Sequence, residues 1–262
     1  MLHTDMMGRT VRVVDNPRRI ISLVPSQTEL LYDLGLSEEL VGLTKFCVHP
    51  DEWFRTKTRV GGTKSLHIAQ ILNLNPDLVI GNKEENLQSE IYALEQHVPV
   101  WMSDIYSLED ALVMIRSMGV VVGKAERAQM LADEVAQGFS RLYLPEIKGK
   151  KVAYLIWNNP IMVAAANTFI DDILGVLGME NVFTGLSRYP ECSLEDIKNA
   201  APDFILLSSE PYPFKERHLN EFREAVPRAN VLLVDGEMFS WYGSRLKRAP
   251  AYFESIFATD GR

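Results

Sequence analysis

Residues 66–80 read LHIAQILNLNPDLVI, and residues 192–206 read CSLEDIKNAAPDFIL. The second stretch is the first displaced by 126 positions, with Ile71, Asn73, Pro76 and Asp77 matched by Ile197, Asn199, Pro202 and Asp203. Each copy reads as a helix, a Pro-Asp turn and a buried strand. Proline disfavours helical backbone in the residue before it, so Asn75 and Ala201 are the expected helix exits. A second echo pairs LLYDLGLSEELVG at 30–42 with ILGVLGMENVFTG at 173–185. The chain therefore reads as two similar halves.

Outward from these turns, short β-branched or aliphatic runs recur at 19–24, 40–44, 77–81, 98–102, 151–157, 203–207 and 230–234. Continuous apolar runs mark strands covered on both faces. Their alternation with helical spacing implies βα units and a mainly parallel sheet. One helix is expected to start at Ser107 and end near Gly123. Another is expected from Lys124 to Tyr143, with Ala128, Leu131, Ala132, Val135, Phe139 and Leu142 on one face. The expected organisation is an α/β fold with an N-terminal lobe at 1–123, a backbone helix at 124–148 and a C-terminal lobe at 149–262.

Composition narrows the function classes. A net charge of −8 over 262 residues argues against a nucleic-acid partner, which would need clustered Lys and Arg. No run approaches the roughly 20 apolar residues that cross a bilayer. Residues 1–19 show no apolar signal region, so the expectation is a cytoplasmic protein or a chain written without its export segment. Cys47 and Cys192 make no disulfide framework. There is no G-x-S-x-G elbow, Walker loop or G-x-G-x-x-G, and no nucleophile has a histidine partner close by, so no catalytic residue and no cofactor are expected. His3, His49, His67, His97 and His218 show no paired spacing, and no metal ligand set is assigned.

In open α/β sheets ligands sit beyond the carboxyl ends of the strands. The loops expected there hold Phe46, Cys47, His49 and Lys83 in the first half, and Trp157, Asn158, Arg188, Tyr189, Phe239, Trp241 and Tyr242 in the second. Aromatic faces suit a large, flat-edged ligand, because they bury much area at small entropic cost. Asn158, Lys83 and Arg188 are the polar ends expected to select orientation. Ser26 is expected to cap the helix after the first strand, with Glu29 completing a capping box.

Several segments, taken in order, carry a resemblance over nearly the whole chain. They are RIISLVPSQTELLYDLGLSEELVG at 19–42, VGG at 60–62, IAQILNLNPDLVIGN at 68–82, KVAYLIWNNP at 151–160, LGMENVF at 177–183, YPECSLEDI at 189–197 and FSWYGSR at 239–245. This series resembles the class III substrate-binding proteins of ABC transporters, the helical-backbone receptors for cobalamin, siderophores, haem and metal ions, with the cobalamin receptors nearest in order and spacing. The resemblance implies two Rossmann-like lobes joined by one long helix, with the ligand held between them. It places Phe46, Trp157, Tyr189 and Phe239 near positions that line a corrinoid cleft. It further implies a periplasmic or cell-envelope location, a monomer and a permease dimer as partner. Glu195 matches an acidic docking position, while Ala69 stands at its first-lobe counterpart.

Two readings follow. The first is a receptor that captures a corrinoid (cobalamin) or an iron chelate (siderophore or haem) for an ABC importer, and is not an enzyme. The second is a cytoplasmic corrinoid- or metal-handling protein, or a metalloenzyme, on the same fold, using Cys47, His49 and Cys192 as soft ligands.

Overall fold

All seven aliphatic runs are strands in a computed structural model of the chain, which describes residues 1–257. The chain forms two compact units. One comprises residues 1–105, 109–137 and 242–247; the other comprises 106–108, 138–241 and the chain from 248 onward.

The first unit opens with an antiparallel ribbon of β1 (Leu2–Thr4) and β2 (Thr10–Arg12). Then come β3 (Ile20–Ser22), β4 (Leu40–Leu43), β5 (Thr58–Arg59), a small hairpin of β6 (Gly61–Gly62) and β7 (Ser65–Leu66), β8 (Leu78–Asn82) and β9 (Val100–Ser103). A five-stranded parallel sheet has the order β5-β4-β3-β8-β9. Parallel neighbours need crossovers, which carry α1 (Pro25–Asp33), α2 (Asp51–Thr56), α3 (Ile68–Asn73) and α4 (Gln88–Glu95). Every residue of β3, β8 and β9 is buried, which is why these strands read as unbroken apolar runs. The winding reverses between β3 and β8, so the loops leaving those two strands diverge there. At the sheet edge, Met102 of β9 accepts from the Met6 N–H at 3.1 Å and donates its own N–H to Asp5 Oδ2 at 3.3 Å.

Next come α5 (Leu108–Val121) and α6 (Ala125–Arg141), close to their expected bounds. Gly123 separates them with φ +69°, and a Cβ there would lie 2.0 Å from Asn16 Oδ1, so any other residue would be strained and would displace the Asn16 side chain. Ala128, Leu131, Ala132, Val135 and Phe139 form the buried stripe read from the sequence. The chain passes from the first unit to the second within this helix, after Gln137.

The second unit contains β10 (Lys151–Trp157), β11 (Ile161–Val163), β12 (Glu180–Asn181), β13 (Glu191–Cys192), β14 (Phe204–Ser208) and β15 (Asn230–Val234). Its sheet runs β13-β11-β10-β14-β15, with β12 beside the start of β10. β10, β14 and β15 are parallel, whereas β11 and β13 extend the sheet antiparallel. The helices are α7 (Phe169–Val176), α8 (Leu194–Ala200), α9 (Glu216–Ala225), α10 (Gly236–Ser240) and α11 (Ala249–Phe257). A core of Ala153, Leu155, Ile205, Leu207 and Val231 packs with Ile197 and Phe222 from α8 and α9.

The repeat holds at the level of backbone and hydrogen bonds. Asn75 (φ 44°) and Ala201 (φ 47°) both turn left-handed, each just before its proline, and end α3 and α8. Asp77 then donates its N–H to Arg19 O at 2.8 Å, while its carboxylate accepts from the N–H groups of Arg18 and Arg19 at 2.8 and 3.0 Å. Asp203 makes the matching clasp with Lys151, donating to its carbonyl and accepting its N–H, both at 2.8 Å. Each Pro-Asp turn therefore fastens the start of its strand to the start of the neighbouring strand, β3 in one unit and β10 in the other.

The cap expected at Ser26 is not formed. The N-cap is Val24, without a side-chain bond, and Pro25 occupies the first helical position. Its fixed φ and missing N–H suit that position, and they start the helix early enough to place Ser26 inside the first turn. Glu29 is released from a capping role and pairs with Arg245 instead.

Candidate ligand-binding loops

In the first unit, the turn after β4 is built to turn one ring outward. Thr44 is buried, its carbonyl accepts the Cys47 N–H at 3.1 Å, and its Oγ1 lies 3.2 Å from Cys47 Sγ. Between them Phe46 is 50% exposed. The Lys45 ammonium lies 5.1 Å from its ring centroid, and the bare backbone of Gly62 lets the ring edge approach, a Cβ there being 3.2 Å from Phe46 Cε2. Cys47 has no exposed surface, and burial pushes its thiol up from the ordinary range. His49 is half-buried beyond it.

The loop after β8 carries Lys83, whose ammonium pairs with Asp104. A buried polar network sets this loop. Ser103 Oγ accepts from Gln27 Nε2 and from Asn82 Nδ2, and donates to Gly81 O. Asn82 Oδ1 accepts the N–H groups of Glu84 and Glu85 at 2.8 and 3.2 Å, while Asn86 Oδ1 accepts the Asn82 N–H at 2.9 Å. Two amide side chains thus tie residues 82–86 into a fixed turn. Within it Glu85 is pushed up by burial and by adjacent Glu84, against the pull of Lys64. None of these network residues stands out in the sequence, since Asn and Gln are common in loops.

In the second unit, Trp157 ends β10 at a register shift against β11, a bulge of the kind that re-aims a side chain. It is 38% exposed, its Nε1 donates to Asn159 O at 3.3 Å, and it stands edge-on to Tyr212 with centroids 5.5 Å apart. Asn158 follows, half-buried. Arg188, also half-buried, has a left-handed backbone at φ 67°. Its guanidinium donates to Asn167 O at 2.9 Å and lies 5.7 and 5.5 Å from the rings of Tyr106 and Tyr189. Tyr106 is a partner that the sequence does not point to, because it lies 82 positions from Arg188 (188 − 106).

Other expected positions face inward. Phe239 has no exposed surface; its ring packs 4.8 Å from Phe253 and 5.1 Å from Tyr154, as a core residue. Trp241 is buried, with Nε1 donating to Glu210 Oε1 at 2.8 Å. Tyr242 is buried too. Residue type alone gives an aromatic ring; whether it turns in or out is decided by packing. Among the described residues, no group of three His, Cys, Asp or Glu is placed to hold a metal ion. Cys192, pushed up to about 11 by burial and then by Asp196, is held as a thiol, as Cys47 is.

Glu195 lies in the first turn of α8, beside the capping box that Asp196 makes with Ser193, and its side chain is 70% exposed. Ala69, at the matching place on α3, is exposed as well.

The model of the family described as periplasmic binding protein matches residues 20–228. A vitamin B12-binding protein of Pectobacterium carotovorum is 26% identical over 237 residues, covering 88% of this chain and 84% of its own. A Bacillus subtilis protein described as an uncharacterised ABC transporter substrate-binding lipoprotein is 24% identical over 255 residues, covering 92% of this chain and 80% of its own. Among solved structures, a periplasmic haem-binding protein from Roseiflexus, in apo form, superposes with a TM-score of 0.78 at 23% identity, covering 92% of this chain and 97% of its own. That likeness shows the fold.

Proposed function

The chain belongs to the periplasmic binding protein family, and from that premise we propose that it captures a corrinoid such as cobalamin, or an iron chelate such as haem or a ferric siderophore, for an ABC importer of the cell envelope. The observation that carries this reading is the pair of exposed rings at the carboxyl ends of strands. Phe46 follows β4 in the first unit, and Trp157 ends β10 in the second. Exposed aromatics are costly to leave in water and recover that cost against a broad apolar-edged ligand. Arg188 and Asn158 in the second unit, with Lys83 and His49 in the first, supply polar groups that select orientation. The vitamin B12-binding and haem-binding proteins reported above handle ligands of this class by name.

The reading is one of capture without catalysis, by a monomer, with Glu195 as a contact to the permease. The alternative built on Cys47, His49 and Cys192 draws no support from the described residues, among which no three His, Cys, Asp or Glu are placed to hold a metal ion. Calorimetric titration with cyanocobalamin, haemin and a ferric siderophore tests the proposal. Saturable binding of one of them at a 1:1 ratio is the expected result; no binding to any of the three overturns it.

A further inference from the structure

An exposed indole is a poor docking surface if it turns freely, and in the second unit Trp157 is backed by a chain of rings. Tyr212 stands edge-on against it, and the Tyr212 N–H donates to Ile156 O at 3.3 Å, so the tyrosine is fastened beside the tryptophan. Behind Tyr212 lie Phe214, with centroids 4.8 Å apart, and His218, at 5.5 Å. His218 is 3% exposed, and Phe214 also packs on Phe222 of the core.

The protonation of His218 follows from its bonds. It is the third residue of α9, and its Nδ1 accepts the Lys215 N–H at 2.8 Å, the place of Glu or Gln in a capping box. A nitrogen that accepts a backbone N–H carries no proton, so the neutral ring bears its proton on Nε2. Nε2 lies 3.2 Å from Tyr212 Oη and donates to it. Arg217 Nε also approaches Nε2, at 3.3 Å, but a protonated nitrogen cannot accept from it. The bond to Lys215 is shorter and anchored in the backbone, whereas Arg217 is exposed and long, so the Arg217 contact is the one that yields.

We propose that His218 is a positioning residue for ligand capture: it fixes the Tyr212 hydroxyl, and the Tyr212 ring holds the Trp157 face in place before a ligand arrives. This rests on the reading of Trp157 as a ligand contact. The expected effect of releasing the indole is a weakening of about 2- to 10-fold, the usual cost of ordering one side chain on binding.

The experiment compares His218→Leu, which removes both bonds, Tyr212→Phe, which removes only the hydroxyl, and His218→Gln, which restores an acceptor for Lys215 and a donor for Tyr212. Trp53, Trp101 and Trp241 are buried, so acrylamide quenching of the ligand-free protein reports Trp157. The His218→Leu and Tyr212→Phe variants should show raised quenching and faster local depolarisation, with His218→Gln close to the starting protein. Cyanocobalamin and haemin affinities should fall in the same two variants, be rescued by His218→Gln, and show no further loss from His218→Leu once Trp157 is already replaced by alanine. Unchanged quenching in both His218→Leu and Tyr212→Phe overturns the proposal, as does altered quenching with unaltered affinity. Absence of binding to the unmodified protein would instead sink the receptor reading, while the quenching still decides whether His218 holds Trp157.

Discussion

Arg245 donates from Nε and Nη2 to the two carboxylate oxygens of Glu29, each at 2.8 Å, and both side chains are buried. The pair fixes the 3₁₀ turn Ser244–Lys247 on α1 within the first unit. Removing one charge takes from the other its bidentate partner in a buried site. Glu29→Gln or Arg245→Met should therefore cost about 3–5 kcal/mol, whereas the double variant Glu29→Leu/Arg245→Met should recover much of it. Urea midpoints of the three proteins check this; three equal losses would show that the charges are not coupled.

Ala201 holds a left-handed backbone that costs a non-glycine residue about 1–2 kcal/mol. Ala201→Gly removes that strain at the expense of a more flexible unfolded chain, so a net gain of up to about 1 kcal/mol is expected. Asn75→Gly should gain less, since Asn tolerates this conformation. Thermal unfolding of the two variants ranks the gains, and destabilisation by Ala201→Gly would contradict the account.

Phe239 and Trp157 separate packing from capture. Phe239→Ala opens the core beside Tyr154 and Phe253 and should cost about 3–5 kcal/mol of stability. Trp157→Ala should change stability by no more than about 1 kcal/mol, yet weaken cyanocobalamin or haemin binding by about 2 kcal/mol. Unfolding curves and calorimetry on the same preparations test both halves.

The cysteines give a pH signature. Cys47, raised by burial, should stay unreactive to a thiol reagent at pH 8 until the protein unfolds. Cys192, half-buried and pushed up to about 11, should react slowly at pH 8 and faster as the pH nears that value. A thiol pKa raised by folding contributes stability that is complete below the unfolded value of about 8.5 and is lost as the pH rises above it. Cys47→Ser should therefore flatten part of the alkaline loss of stability, read from urea midpoints between pH 8 and 10.

Much of this was legible in the chain because buried strands write themselves as unbroken apolar runs: 151–157, buried along its interior, and the partly exposed 230–234 match their strands end to end. Pro76 and Pro202 marked the helix exits because their steric constraint is local. The antiparallel strand Glu191–Cys192 could not be seen, since two residues carry no period. The cap at Ser26 failed because Pro25 competes for the same turn, a choice that only the closing bonds decide. For the site, the exposure of Phe46 and Trp157 agrees with their places after and at the ends of strands, but the inward turn of Phe239 depends on Tyr154 and Phe253. His218 gave no signal, because its capping role is one normally taken by Glu or Gln.

The bonds from Asp5 and Met6 to Met102 have a consequence for handling the protein. They occupy outward-facing amide and carbonyl groups of a border strand that would otherwise be a template for another chain. Clipping residues 1–12 would bare that border, and the shortened molecules should polymerise edge to edge at concentrations where the intact chain stays dispersed.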